Sequence, residues 1–349
     1  MATDTASVSW PPPPVCSSQG RGRRVPVARP LAPTGTSRHI LTMRLAQRPV
    51  PSGVLPAALP EREGLGSALR PYWELTKPGI TRLVLITTGV GFYLGSAAGP
   101  DLLLLLNTLF GTALAASGAN ALNQVVERQA DALMRRTANR PLPSGRLGMA
   151  EALVFATALS FIGCVHLFFL VNPVTSGVVA ASLFSYVLIY TPLKRRTWWA
   201  TLIGAVPGAL PALAGWTAAT DAIGPGGLAL FAIIFVWQMP HFFALGWMYR
   251  EDYERGGFRM LSSLDPAGSR TARLTVLYTI ALLPVSLLPT FFGLTGWLYG
   301  AGAIALGAVF LGYCATLLAD RARGRAHRVF IASILYLPAL LALMVVDKV

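Results

Sequence analysis

The run Leu102-Leu-Leu-Leu-Leu106-Asn107-Thr-Leu-Phe-Gly111-Thr-Ala-Leu-Ala-Ala-Ser-Gly118-Ala-Asn-Ala-Leu122 carries no charge and leads directly into Asn123-Gln-Val-Val-Glu127-Arg-Gln-Ala-Asp131. As a helix, the first part is long enough to cross a hydrocarbon core of roughly 30 Å. In the second part an amide and two carboxylates recur every four residues, where the apolar run meets a basic loop. Positions i, i+4 and i+8 share one helix face and climb roughly 6 Å per step, so Asn123, Glu127 and Asp131 line one wall with oxygen atoms. Oxygen donors suit magnesium. The chain continues Ala-Leu-Met-Arg135-Arg136-Thr137-Ala-Asn139-Arg140-Pro141-Leu-Pro143. Arginines for phosphate thus follow acids for a metal, a pairing that suggests a metal diphosphate ligand. The competing reading is a solvated helix end with ordinary salt bridges.

Over half the residues are hydrophobic and 13% are charged, against roughly 25% charged in soluble domains. This is the composition of a membrane protein. We read an all-α polytopic protein with nine spans, at about 80–98, 102–122, 149–170, 173–191, 198–217, 226–248, 273–293, 296–318 and 327–346, the region 149–191 being divisible around Asn172-Pro173. The loops after spans 2, 4, 6 and 8 hold Arg128 to Arg146, Lys194 to Arg196, Arg250 to Arg273 and Arg321 to Arg328, whereas those after the odd spans hold no Lys or Arg. The positive-inside rule puts the N-terminus and the basic loops in the cytoplasm, or the matrix of a mitochondrion. The net charge of +14 reports this topology rather than a nucleic-acid partner, which would require the arginines on a soluble module.

Residues 1–70 differ in kind, with the proline run Pro11 to Pro14, frequent Gly and Arg, and Asp4 as the only acid before Glu61. We read them as a disordered basic tail on a membrane domain spanning 71–349. The prolines oppose the amphipathic helix of a mitochondrial transit peptide, and a bacterial extension with Met43 as an alternative start is the preferred reading. The lipid bilayer concerned is then the bacterial inner membrane, with the mitochondrial inner membrane as the alternative. Cys16, Cys164 and Cys314 form no CxxC pair and give neither a disulfide framework nor a zinc site.

Spans 2 and 6 run the same way through the membrane, and span 6 ends in Trp237-Gln238-Met239-Pro240-His241-Phe-Phe-Ala-Leu-Gly246-Trp247-Met-Tyr249-Arg250-Glu251-Asp252-Tyr253. Acids at two helix C-termini face the negative end of the backbone dipole, so they call for a cation if the ends converge on a shared cavity. A third cluster, Tyr190-Thr191-Pro192-Leu-Lys194-Arg195-Arg196, precedes a span containing Gly204, Pro207, Gly208 and Pro211. Tyr190 and Lys194 stand i,i+4 at the level of the acids and suit a phosphate contact. The glycines allow close helix approach, and the prolines open backbone that protein or a cavity must cover. His166 reads as a hydrogen-bonded core residue. His241 follows Pro240 and is a candidate for function: its imidazole can bind a haem iron, act as a base or hydrogen-bond near Gln238, and chemistry alone leaves these open.

Asn123-xxx-Glu127-xxx-Asp131-xxx-Arg135-Arg136-Thr137-x-Asn139-Arg140-Pro141, Tyr190-Thr191-Pro192-Leu-Lys194-Arg195 and Trp237-Gln-Met-Pro-His241-Phe together resemble the protoheme IX farnesyltransferase (haem O synthase) family, a branch of the UbiA intramembrane prenyltransferases. Thr76-Lys77-Pro78, Asp252-Tyr253, Gly257 and Met260-Leu261 fit the same pattern, which covers residues 70 to 346. The resemblance implies nine helices around a cavity open to the basic side. It also implies farnesyl transfer from farnesyl diphosphate to a vinyl group of haem b with addition of water, giving haem O and diphosphate for haem A and terminal-oxidase biogenesis. A haem A synthase or oxidase-assembly factor is then a candidate partner. The pattern departs from the wider superfamily at Gly256, four places after Asp252, where relatives repeat an aspartate, and at Glu127, where many have Asp.

On that resemblance Asn123, Glu127, Asp131 and Asp252 are expected to hold Mg2+ on the diphosphate. Lys77, Arg135, Arg136, Arg140, Lys194 and Arg195 are expected to offset its remaining charge. Tyr190, Trp237 and Tyr253 are the aromatic faces offered to an allylic cation, and His241 with Trp237 is expected to hold haem. The competing functions are a prenyltransferase acting on a quinone precursor or chlorophyllide, and an organic-anion transporter, which would also use broken helices and arginines.

Overall fold

The computed structural model describes residues 65–97 and 99–349. The expectations for the tail, including Met43 as a start, therefore fall outside the described residues except at 65–70. Those six are helical. They open α1 (Leu65–Leu75), an element not expected from sequence. It buries Leu75 and leaves Leu69 and Trp73 exposed, and Glu74 anchors it by an ion pair of 2.6 Å to Arg146.

The remaining main elements are α2 (Pro78–Gly95), α3 (Leu102–Leu133), α4 (Met149–Leu170), α5 (Pro173–Leu193), α6 (Ala200–Thr220), α7 (Pro225–Met248), α8 (Arg250–Arg255), α9 (Ser269–Phe291), α10 (Trp297–Ala319) and α11 (Arg323–Val346). Eight of these helices are long and apolar enough to cross a membrane. The ninth expected span is α2, 18 residues long; Arg82, Thr81, Thr87, Thr88 and its glycines dilute its hydropathy. The division at Asn172-Pro173 is physical: Asn172 Oδ1 accepts the Thr175 N–H at 2.7 Å and caps α5, with Pro173 at the first helical position. Among the described residues the only extended pairing is a single bridge between Thr295 and Lys348.

Side chains such as Leu102, Leu103, Leu106 and Phe110 point outward, exposed on the perimeter, as a lipid-facing surface requires. Inside, α3 packs along α4, α2 along α6, and α7 against α6, α9 and α11. Where α2 crosses α6, a Cβ on Gly215 would collide with the Thr88 carbonyl and one on Gly91 with that of Ala212, so both positions need glycine. Pro211 has no N–H for the Pro207 carbonyl, and Ser182 Oγ donates to that oxygen instead at 2.9 Å. Thr88 Oγ1 donates to the Pro211 carbonyl at 3.1 Å. The broken backbone of α6 is thus covered by its neighbours. At the opposite end from the basic loops, Lys348 Nζ donates to the carbonyls of Tyr93 and Ser96 at 2.7 and 2.5 Å, tying the C-terminus to the end of α2.

Candidate active site

Four separate segments meet at one end of the helices. The last turns of α3 carry Asn123, Glu127 and Asp131 inward, at 2%, 5% and 1% exposure. The four-residue spacing therefore marks a buried face rather than a solvated one. Each side chain meets a cationic group: Lys77 Nζ donates to Asn123 Oδ1 at 2.9 Å, Lys194 Nζ lies 2.5 Å from Glu127 Oε1, and Arg140 Nη1 donates to Asp131 Oδ2 at 2.7 Å. Asn123 Nδ2 completes its bonding by donating to Thr191 Oγ1 at 3.2 Å. Asp252, in α8, pairs with Arg255 and accepts the backbone N–H of Arg135 at 3.3 Å. That last bond closes the ends of α3 and α7–α8 into one rim, the convergence their acids required.

The sequence sets this geometry locally. Residues Ser185–Tyr190 of α5 form a π turn, a widening common where a helix serves a site, and from it Lys194 reaches Glu127. Its ammonium also lies 4.6 Å from the Tyr190 ring. The Arg259 N–H donates to the Lys194 carbonyl at 2.9 Å, holding the loop after α8 against the same segment. Burial pushes the Lys77 ammonium down to about 7, with the Arg140 charge adding to the effect. Burial works against the Asp252 carboxylate, but the bonds from Arg255 and the Arg135 N–H prevail and hold it below its usual range.

The self-repulsion expected of two acidic helix ends is therefore relieved here by the chain's own lysines and arginines. Among the described residues no three His, Cys, Asp or Glu side chains are gathered closely enough to hold a metal by themselves. The donor set still has unused capacity. Asp131 Oδ1 is buried without a hydrogen-bond partner, and Glu127 Oε1 has the nearby ammonium but no directed hydrogen bond. Buried carboxylate oxygens left in this state suit a hard cation.

The expected arginines are placed unequally. Arg140 is at the rim, whereas Arg135 contributes its backbone N–H and turns its side chain outward. The Arg136 guanidinium lies 4.7 and 4.5 Å from the rings of Tyr249 and Tyr253, and Arg195 is exposed. Tyr253 is thus engaged with Arg136 and does not line the cavity described next.

Below the rim lies a cavity of about 360 Å³, within the range of ligand pockets, roughly 300–1,000 Å³. Asn120 and Tyr190 border its polar end, and Val84, Leu183, Leu210 and Ile234 line its apolar depth. Tyr186, passed over in the sequence, also lines it and stacks on Tyr190 with ring centroids 5.6 Å apart; the i,i+4 spacing of the two tyrosines was the available signal. Gly204 and Gly208 make room for Tyr190 and Gln238, since a Cβ at either position would strike that side chain.

Trp237 and His241 lie on the α7 wall of the cavity. Their rings stack 5.2 Å apart, and Phe330 of α11 stacks on His241 at 4.8 Å. Ser333 completes the group: its carbonyl accepts the Trp237 indole N–H at 2.9 Å, and its hydroxyl lies 2.8 Å from His241 Nδ1. Nothing in the apolar run of α11 singled out Phe330 or Ser333.

A buried acid and cation rim over an apolar cavity, inside a bundle of membrane-crossing helices, defines an intramembrane prenyltransferase. The chain belongs to the UbiA prenyltransferase family, whose model matches residues 84–337. Within it, the chain is similar to the protoheme IX farnesyltransferase of Solibacter usitatus, with 48% identity covering 80% of this chain and 99% of the relative. It is also similar to that of Salinibacter ruber, with 46% identity over 79% and 98% of the two chains. Among solved structures, the fold matches a digeranylgeranylglyceryl phosphate synthase with a TM-score of 0.68 at 19% identity, covering 80% of this chain and 98% of the other. A UbiA homolog from Archaeoglobus fulgidus bound to GPP and Mg2+ gives 0.59 at 16% identity, covering 78% and 99%. The protein is an integral membrane enzyme of the prenyltransferase class.

Proposed function

We propose that the protein transfers the farnesyl group of farnesyl diphosphate to a vinyl group of haem b, with addition of water, giving haem O and diphosphate. The observation that carries this reading is the placement of the Asn123 to Asp252 rim directly above an apolar cavity whose α7 wall presents His241. The extent and identity of the match to protoheme IX farnesyltransferases support haem as the acceptor.

Asn123, Glu127, Asp131 and Asp252 are the residues to hold magnesium, which when bound neutralises charge on the leaving diphosphate. Lys77, Arg140 and Lys194 already stand on these acids and can turn to the diphosphate oxygens as it enters. Arg135, Arg136 and Arg195, exposed on the segments that follow Asp131 and Lys194, add positive charge for an incoming anion. As the C1–O bond of the farnesyl group breaks, its electron pair leaves with the diphosphate, and these cations stabilise the growing charge. Tyr190, Tyr186 and Trp237 offer ring faces to the allylic cation, and the apolar walls keep water from it. The vinyl group supplies the electron pair of the new C–C bond. The carbon left positive beside the porphyrin then takes water and releases a proton.

The alternation of basic loops supports a rim on the cytoplasmic side of a bacterial inner membrane. Purified protein incubated with haem b, farnesyl diphosphate and magnesium should yield a haem heavier by one farnesyl group and one hydroxyl group, together with free diphosphate. Diphosphate release with a quinone precursor or chlorophyllide but not with haem would assign a different acceptor. Unaltered farnesyl diphosphate under all conditions would contradict transfer altogether.

A further inference from the structure

The hydroxyl of Ser333 has one proton and two neighbours. Its Oγ lies 2.6 Å from the Phe330 carbonyl and 2.8 Å from His241 Nδ1. A carbonyl oxygen only accepts, so a contact of 2.6 Å places the serine proton between Oγ and Phe330. Toward the imidazole, Oγ is then left with lone pairs and can only accept. Nδ1 therefore carries a hydrogen, and in the neutral ring Nε2 holds the free lone pair.

Everything around the ring preserves this arrangement. Trp237 and Phe330 both stack on the imidazole, with ring centroids 5.2 and 4.8 Å from it, and so restrict its rotation. Ser333 is itself fully buried, and its carbonyl is fixed by the Trp237 indole. Nε2 has no hydrogen-bond partner among the described residues, and His241 lines the cavity. A lone pair at the edge of a clamped imidazole, with the opposite nitrogen donating to a fixed oxygen, is the arrangement in which proteins offer histidine to a metal. It cannot donate a hydrogen bond to a propionate. Haem b has no N–H in its ring to offer, and its one centre that accepts an electron pair is the iron.

We propose that Ser333 is a positioning residue that fixes His241 in the Nδ1–H tautomer and so presents Nε2 as an axial ligand to the iron of the haem substrate. This rests on the haem farnesyl-transfer reading above. Ligation at the α7 wall anchors the porphyrin in the cavity beneath the rim, where one of its vinyl groups can meet the farnesyl cation.

The test is a titration of the purified full-length protein with ferric haem b, followed by absorption and electron paramagnetic resonance. The wild type should show an imidazole-ligated haem, and His241→Ala should lose that signature and regain it on addition of free imidazole. Ser333→Ala and Ser333→Cys should weaken haem binding about 10–100-fold and disturb the ligation spectrum. Ser333→Thr, which retains the acceptor oxygen, should restore both, and farnesyl diphosphate binding should be the same in all the serine variants. Equal haem affinity and identical spectra in the Cys and Thr variants would overturn the inference even if the Ala variant did not fold. A wild type that makes haem O with a spectrum indifferent to His241 would also overturn it while leaving the transfer reaction standing. Failure of the wild type to bind or convert haem would instead remove the functional reading on which it rests.

Discussion

The rim and the imidazole cage solve the same problem, holding polar groups out of water, in opposite ways. At the rim, Glu127, Asp131 and Asp252 are matched by Lys194, Arg140 and Arg255, charge against charge. In the cage, His241 is held by one neutral hydrogen bond and two ring faces. The rim stands at helix ends, where the chain can supply counter-charges from adjoining loops and a charged ligand can enter. The cage lies within the helical bundle, where an unmatched charge would be expensive. A diphosphate suits the first and a flat, largely apolar acceptor the second, so the division of labour follows from where each kind of polarity can be sustained.

The comparison breaks first, and most severely, at Asp131. Asp131→Asn keeps the shape of the side chain but removes the charge that faces Arg140 and would face the metal. Haem O formation should fall by about 10²–10³-fold, while haem binding and helix content are unchanged. Turnover within a few-fold of wild type would detach Asp131 from the chemistry.

Lys194→Met probes how strongly the rim depends on charge pairing. It leaves the buried Glu127 carboxylate without its cation, and loss of a partner in such a pair costs about 3–5 kcal/mol. The thermal unfolding midpoint should fall accordingly, and the double variant Lys194→Met/Glu127→Gln should recover most of the loss. No recovery would show that Lys194 matters for something other than that pair.

On the neutral side, Gly208→Ala places a methyl group on the Gln238 amide. Gln238 Nε2 donates to the carbonyls of Ala205 and Ile234 at 3.2 and 3.1 Å, so the clash disturbs a satisfied buried group. A cost of about 1–3 kcal/mol in unfolding free energy is expected. Gly177→Ala on α5, with open space around it, serves as the control that should show no such loss.

The smallest effect belongs to α1. The hydrogen bond from Arg146 holds the Glu74 carboxylate below its ordinary range. This stabilisation is complete above the unfolded value of about 4.3 and disappears as pH falls through the lower folded value. The tether should be constant from about pH 6 to 8. Glu74→Ala at neutral pH should cost about 0.2–1 kcal/mol, read as faster amide exchange confined to α1. Equal exchange in the variant would mean that packing at Leu75 alone fixes the helix.

The rim was legible in the sequence because charge is rare in an apolar chain and the spacing of Asn123, Glu127 and Asp131 matches the helical turn. The spans were legible from length, and their direction was read from the alternation of basic loops. Pairing was not: Arg255, three residues after Asp252, looks like any surface arginine. Arg135 and Arg136 look alike in sequence, yet one serves through its backbone and the other rests on two tyrosines. Helix α1 was missed because it is short, contains Pro71 and adjoins a proline- and arginine-rich tail. Phe330 and Ser333 were illegible for a different reason. They sit in an ordinary apolar helix and acquire meaning only when tertiary packing brings α11 against α7, some ninety residues away in the chain.

The central claim is that the ends of α3 and α8 act together on one metal diphosphate. Electron paramagnetic resonance of Mn2+, a hard-cation stand-in for magnesium, tests it directly on the purified protein with farnesyl diphosphate. Tight Mn2+ binding that requires the diphosphate, shows coupling to its phosphorus nuclei and is lost in both Asp131→Asn and Asp252→Asn is the result expected. Phosphorus-coupled Mn2+ that persists undiminished in either variant would contradict the claim.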